Sequence, residues 1–344
     1  MHRRTHLPRF AALLLISALP TACTETPSAR GGDAGPAGTD TAQPADAAQS
    51  DAAATSEVGA ADSAPPNLDS APPKPDSAPP KPDSAPPKLD SAPPTGVVLR
   101  VTFDKAPLGQ YTDSAIKSEW KWIKWSSGLK EGRVHIVEGA QSKSGRSLRI
   151  FYPKNTYGPG PGGAQWWVTL PQGYNELYCA YWIKFGSGFD FVKGGKIPGL
   201  LGGAGNTGGD KPDGTDGWSA RMMWRKAGEA VQYVYHPDQP TIYGEDMAWD
   251  IGGKRVFKPG TWYRVEHRIV MNTPTKKDGI VEGWWDGKPA LSRKNVRFRD
   301  VSTFAIDGFY FSTFFGGGDS SWSSTKDEYV YFDDFIIATK PITH

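Results

Sequence analysis

All thirteen tryptophans of this 344-residue chain lie beyond residue 95. A core is built from large apolar side chains, so the part that can fold is residues 96–344. Residues 24–95 hold no aromatic side chain and almost no large aliphatic one, and no core can form there. Asp-Ser-Ala-Pro-Pro recurs from positions 62, 69, 76, 83 and 90, a strict seven-residue period. Its prolines favour an extended polyproline II spacer of about 3.1 Å per residue, with a reach of roughly 200 Å. The repeat offers no hydrophobic face to stack, so it predicts a stalk and not a solenoid.

Residues 1–23 read as a secretory signal. Arg3, Arg4 and Arg9 make a positive start, and residues 10–19 form an apolar run too short for a transmembrane helix. Pro20-Thr21-Ala22-Cys23 resembles the lipobox of bacterial lipoproteins, although Leu19 sits one place further from the cysteine than that pattern prefers. The expectation is a lipidated Cys23 anchoring an exported protein to a bacterial membrane, the outer one in the first instance. The competing reading is an ordinary signal peptide with an incidental cysteine.

Charge divides with the aromatics. Residues 96–344 carry 32 Lys/Arg and 26 Asp/Glu, a net of +6, whereas the stalk is acidic. A mildly basic exported domain suits an anionic partner; export argues against nucleic acid. With Cys23 lipidated, only Cys179 remains and no intrachain disulfide is available. Cys179 lies in an apolar run and reads as a packed core thiol. The histidines are scattered, so no metal or other cofactor is expected. Nothing calls for an oligomer, and a monomer is expected.

Short aromatic and β-branched runs cover 97–103, 147–152, 165–170, 177–185, 219–225, 231–236, 262–272, 279–286, 308–313 and 329–337, separated by Gly, Pro, Asn and Asp. Sustained helical periodicity is nearly absent. Such spacing predicts an all-β sandwich or barrel, with a two-sheet antiparallel jelly roll as the solution that leaves one concave, polar-lined face. The glycine-rich segment Phe191-Val-Lys-Gly-Gly-Lys-Ile-Pro-Gly-Leu200 reads differently, as a sharp turn that holds Lys196 on a side-chain-poor ledge. Lys193 reads as a solvated or substrate-steering charge.

Side chains alternate faces along a strand. In 218–225, Ser219, Arg221, Met223 and Arg225 share one face, and Trp218, Ala220, Met222 and Trp224 the apolar other. In 231–236, Val231, Tyr233 and Tyr235 share a face. The short connection 226–230 predicts an antiparallel hairpin, which brings Ser219, Arg221, Tyr233 and Tyr235 into one polar patch. The bland alternative is a solvated sheet face. A patch of Arg, Lys and two tyrosines suits β-elimination on a uronic acid polymer. A cation neutralises the C5 carboxylate, a base takes the C5 proton, and a tyrosine hydroxyl protonates the departing O4.

At these residues the chain resembles polysaccharide lyase family 14, whose members include alginate and glucuronan lyases. The resemblance rests on Lys193-Gly-Gly-Lys-Ile-Pro-Gly-Leu200, Trp218-Ser-Ala-Arg-Met-Met-Trp-Arg225 and Tyr233-Val-Tyr235. It continues in Gly260-Thr-Trp262, Asn272, Ser312-Thr-Phe-Phe-Gly-Gly-Gly-Asp319 and Tyr331-Phe-Asp-Asp-Phe335. It implies a jelly roll with a cleft on its concave sheet, with Lys196, Tyr233, Tyr235 and Arg221 catalytic. Either Tyr235 or Lys196 would be the base, Tyr233 the proton donor and Arg221 the carboxylate neutraliser. Ser219, Lys193, Arg225 and Trp167 would bind substrate. The stalk does not follow from the resemblance.

Weaker candidates remain. Trp166-Trp167 and Trp284-Trp285 could stack sugars, but one member of each pair should face the core. His236 and His267 read as structural. Gly316-Gly317-Gly318-Asp319 reads as a loop at the cleft rim, and Asp333-Asp334 as an edge turn or a metal pair. A carbohydrate-binding module is the first rival, though it need not keep Lys196 together with both tyrosines. A hydrolase is the second, and it needs two cleft carboxylates that the likeliest strands lack. Mannuronate and glucuronate share the same C4/C5 arrangement, so these residues fit alginate and glucuronan alike.

Overall fold

The computed structural model describes residues 96–342. The signal segment, the lipidation of Cys23 and the repeat stalk lie outside the described residues. In chain order the strands are β1 (Val97–Val101), β2 (Gly109–Gln110), β3 (Ile123–Ser127), β4 (Val134–Glu138), β5 (Arg146–Tyr152), β6 (Ala164–Tyr174), β7 (Glu176–Phe185) and β8 (Gly194–Gly203). They continue as β9 (Gly217–Arg225), β10 (Ala230–Tyr235), β11 (Glu245–Ala248), β12 (Trp262–Val270), β13 (Gly279–Trp285), β14 (Lys288–Val296), β15 (Ile306–Phe315) and β16 (Glu328–Ala338). The helix α1 (Asp113–Trp120) precedes β3, and Thr112 caps it by accepting the Ala115 amide at 3.2 Å.

Two antiparallel sheets form the jelly-roll sandwich that the strand spacing predicts. One runs β14-β13-β12-β7-β16-β5-β4-β2, with β1 also on β16; the other runs β11-β10-β9-β8-β15-β6-β3. Every predicted run overlaps a strand, although 102–103, 236, 271–272 and 286 fall outside the strands. Alternation sends one face of each sheet inward, where the aromatics mesh. Trp166 stacks on Phe311 at 3.6 Å, Trp120 of α1 lies on Phe309 at 5.6 Å, and Trp224 packs edge-on to Phe185 at 5.2 Å. Such pairs contribute about 0.5–1.5 kcal/mol each beyond their buried area. Cys179 is buried in β7, as an apolar strand thiol.

Two local expectations are overturned. Residues 194–203 are no turn: they form β8, a central strand hydrogen-bonded to β9 on one side and β15 on the other. Pro198 sits where the register slips against both neighbours, and such a bulge tolerates a residue with no N–H to donate. Its carbonyl accepts the Tyr181 hydroxyl from the facing sheet at 2.9 Å. Asp333 and Asp334 lie at a bulge within the central strand β16, not at an edge turn. Asp333 is buried and accepts from the Ser147 hydroxyl at 2.8 Å and the Asp334 amide at 2.8 Å. Among the described residues no group of three or more His, Cys, Asp or Glu could hold a metal ion.

His267 is fully buried in β12, and neither ring nitrogen has a hydrogen-bond partner. Burial pushes its pKa from 6.5 down to about 3. The unfolded chain therefore binds a proton that the folded one refuses, and stability is lost as pH falls through the ordinary histidine range. A shape-filling apolar residue there is expected to flatten this dependence. His267→Leu should remove about 2 kcal/mol of the stability lost between about pH 7.5 and about pH 5. Urea unfolding at both pH values measures it, and an unchanged pH dependence would refute the assignment.

Candidate active site

A cavity of about 610 Å³ opens on the outer face of the seven-stranded sheet. Its floor comes from β8, β9, β10 and β15, and its rim from residues 158–159, 207–208, 243–244 and 316–322. The floor depends on the glycines of β8. A Cβ on Gly195 would lie 2.1 Å from the Trp224 ring, so glycine there admits that indole into the core. Gly199 stands opposite Arg221 on one neighbour and Tyr310 on the other. A Cβ at 199 would meet the Ala220 carbonyl at 2.1 Å, so the strands approach closely at this point. Arg221 thereby reaches across β8: its Nη1 donates to Ser312 Oγ at 3.0 Å, and its guanidinium lies 5.1 Å over the Tyr310 ring.

The hairpin patch forms as the alternation predicts. Tyr233 pairs with Arg221 and Tyr235 with Ser219 across β9 and β10, while Trp218, Ala220, Met222 and Trp224 face the core. Lys196 projects from β8 toward this patch. Its Nζ lies 2.6 Å from Met223 Sδ and 3.8 Å over the Tyr233 ring. The two tyrosine rings meet edge-on at 5.5 Å, and Tyr235 Oη accepts the Gly209 amide at 3.1 Å. Lys196, Arg221, Arg225, Tyr233 and Tyr235 all line the cavity.

Other expected residues sit elsewhere. Ser219 is fully buried and outside the lining; its hydroxyl donates to Asn206 O at 2.7 Å and so secures the β8–β9 loop. Arg225 is held by Asp246 through Nε–Oδ2 at 2.8 Å and Nη2–Oδ1 at 2.5 Å. Lys193 is at the rim, donating to Ser321 Oγ at 2.6 Å. Trp167 shares the outer face of the sheet but lies beyond Tyr310 and outside the cavity. Trp166 and Trp285 are core residues, and Trp284 packs on the other sheet. His236 is buried against Glu245 at 2.8 Å. The Gly316–Asp319 loop does form part of the rim.

Sequence reasoning passed over Gln165, which accepts from the Tyr310 hydroxyl and, at 3.3 Å, from Ser312. The alternation of Tyr310, Ser312 and Phe314 was a signal, but only the β6–β15–β8 order turns it into a site.

The electrostatics are those of an anion site. Arg221 is 3 % exposed, and no carboxylate pairs with it among the described residues. Burial, then the charges of Arg221 and Arg225, hold the Lys196 amine well below the ordinary lysine range, against a smaller upward pull from Asp246. Burial and the neighbouring Tyr235 push Tyr233 upward, so it keeps its proton. An amine held below its ordinary range, a protonated phenol and an uncompensated guanidinium can accept a proton, donate one and neutralise a carboxylate.

The family model for polysaccharide lyase 14 matches residues 140–335, more than half of the chain. The chain belongs to polysaccharide lyase family 14. This polysaccharide lyase is similar to the solved alginate lyase Aly36B, at 27% identity over 72% of this chain and 98% of that one, with a TM-score of 0.61. The alginate lyase of Aplysia kurodai is 27% identical over 71% of this chain and 99% of its own, with a TM-score of 0.60. The alginate lyase vAL-1 of a Chlorella virus is 25% identical over 68% and 100%, with a TM-score of 0.55. No curated protein sequence matches the lyase significantly.

Asp246 offers a handle on the Lys196 amine. Removing its negative charge leaves the two guanidiniums acting alone, so Asp246→Asn is expected to lower the pKa of Lys196 further. The acid limb of the kcat/KM–pH profile of the lyase should then move to lower pH. A limb that stays in place or moves upward would separate Lys196 from that ionisation.

Proposed function

We propose that this polysaccharide lyase cleaves a polyuronate, alginate in the first place and glucuronan as the alternative, by β-elimination. The observation that carries the reading is Arg221, a buried guanidinium with no carboxylate of its own. An unpaired buried charge costs several kcal/mol, and a uronate carboxylate arriving in the cavity would supply the missing partner. Two variants of Aly36B, one with a lysine and a tyrosine replaced by alanine and one with a lysine and a methionine replaced, hold alginate tetrasaccharide and trisaccharide. The same three residue types meet here in Lys196, Tyr233 or Tyr235, and Met223.

The chemistry runs in one direction on this floor. Arg221 binds the C5 carboxylate and draws charge toward it, which acidifies the C5 proton. Lys196, its amine held well below the ordinary lysine range, takes that proton. The electron pair forms the C4–C5 double bond, the C4–O4 bond breaks, and the Tyr233 hydroxyl protonates the departing oxygen. Tyr235, fixed by the Gly209 amide, completes the polar wall. Hydrolysis is disfavoured because, among the described residues, Asp319 is the one acidic residue lining the cavity, and both hydrolytic routes use two carboxylates.

The decisive assay follows ultraviolet absorbance of the unsaturated uronate product on polymannuronate, polyguluronate and glucuronan. Absorbance should rise on at least one polymer, and Lys196→Ala should lower kcat by at least about 10²-fold without loss of fold. No rise on any polyuronate would sink the lyase chemistry proposed here; full activity in Lys196→Ala would sink the role of Lys196 alone. The reading also takes the protein as exported and anchored through a lipidated Cys23. Mass spectrometry of the mature N-terminus tests this, and an unmodified cysteine or a different cleavage point would overturn it.

A further inference from the structure

The edge strand β3 carries an unused feature. Its register on β6 slips between Ile123 and Trp125, so a bulge falls at Lys124. Ile123 pairs with Val168 and turns to the core, while Trp125 pairs with Trp167 on the outer face. The extra residue breaks the alternation and puts Lys124 and Trp125 on the same face. Lys124 Nζ lies 4.7 Å over the Trp167 ring, and Trp125 is 38 % exposed, an indole left open to solvent.

Trp125 also joins two cavities. Its ring meets Tyr310 edge-on at 5.7 Å, and Tyr310 lines the catalytic cavity. On its other side Trp125 lines a second cavity of about 400 Å³, with Lys117, Lys124 and Lys130 against Asp113 and Glu131. Ser127 lines this second cavity too, and its hydroxyl has no hydrogen-bond partner. Ser127 pairs across the strands with Gln165 of the catalytic cavity, so the two spaces adjoin along two neighbouring positions.

We propose that Trp125 and Lys124 form a distal subsite for a further uronate residue of the same polymer that enters the catalytic cavity. The apolar face of the sugar ring stacks on the indole, and its carboxylate meets the Lys124 ammonium. Continuity with the catalytic cavity names the occupant, and the excess of lysines fits its charge. Strand β3 itself lies outside residues 140–335, whereas Trp167 and Tyr310 beneath it lie within them. The proposal rests on the polyuronate reading given above.

The test is chain-length dependence. In Trp125→Ala, the ratio of kcat/KM on polymeric alginate to kcat/KM on alginate trisaccharide is expected to fall about ten-fold, through KM, with Trp125→Phe restoring most of it. Lys124→Ala should lower the same ratio in a salt-sensitive manner. A ratio unchanged in Trp125→Ala, or equal losses on both substrates, would overturn the subsite while leaving the lyase reading intact. If the wild-type chain releases no unsaturated product, retardation of Lys196→Ala in alginate-containing gels still decides the subsite. Retardation that weakens when Trp125→Ala is added supports it, and unaltered retardation refutes it.

Discussion

The close approach of β15, β8 and β9 is the constraint on which the site depends. A strand with ordinary side chains between the other two would keep Arg221 from Ser312 and displace the Trp224 indole from the core. With glycine at 195 and 199, the middle strand is bare backbone at those two positions. One of its faces receives Trp224 and the other lets a guanidinium lie across it. Core packing and cleft electrostatics are thus two sides of one strand, and Lys196 is the side chain that this strand sends into the cavity.

That arrangement explains the ionisation states. The cavity gathers Lys196, Arg221 and Arg225, with Asp246 bound to the last of them. Three cations in a half-closed space repel one another, and the one that can give up its proton is the amine. The guanidiniums keep their charge, and the lysine becomes basic in the useful sense. Tyr233, buried beside Tyr235, keeps its proton. Roles that look interchangeable by residue type are separated by how easily each group surrenders charge.

Much of this was legible in the residues. Alternation in 218–225 and 231–236 gave the correct faces, because 218–225 carries large apolar residues on one side and the hairpin pairs 231–236 to it in register. Within 191–200 the turn stops at Lys193, and 194–200 was misread as part of it, since glycine and proline are poor strand formers in isolation. Pairing on both edges overrides that preference, and the Pro198 bulge disposes of the missing donor. Gln165, Tyr310 and Ser312 escaped notice because their adjacency is set by sheet order, which short-range patterns do not encode. Ser219 was placed on the right face and at the wrong depth, as alternation reports direction but not burial. Lys124 and Trp125 were invisible for a further reason: a bulge breaks the very periodicity that reveals a face.

The rim and the floor come from different kinds of chain. The floor is paired backbone in the middle of a sheet, whereas the rim is loops between strands, at 204–216, 236–244 and 316–323. Loops can lengthen, shorten or exchange residues without altering strand register. Residues of the rim can therefore change while the paired floor, with Lys196, Arg221 and Tyr233 on it, keeps its register.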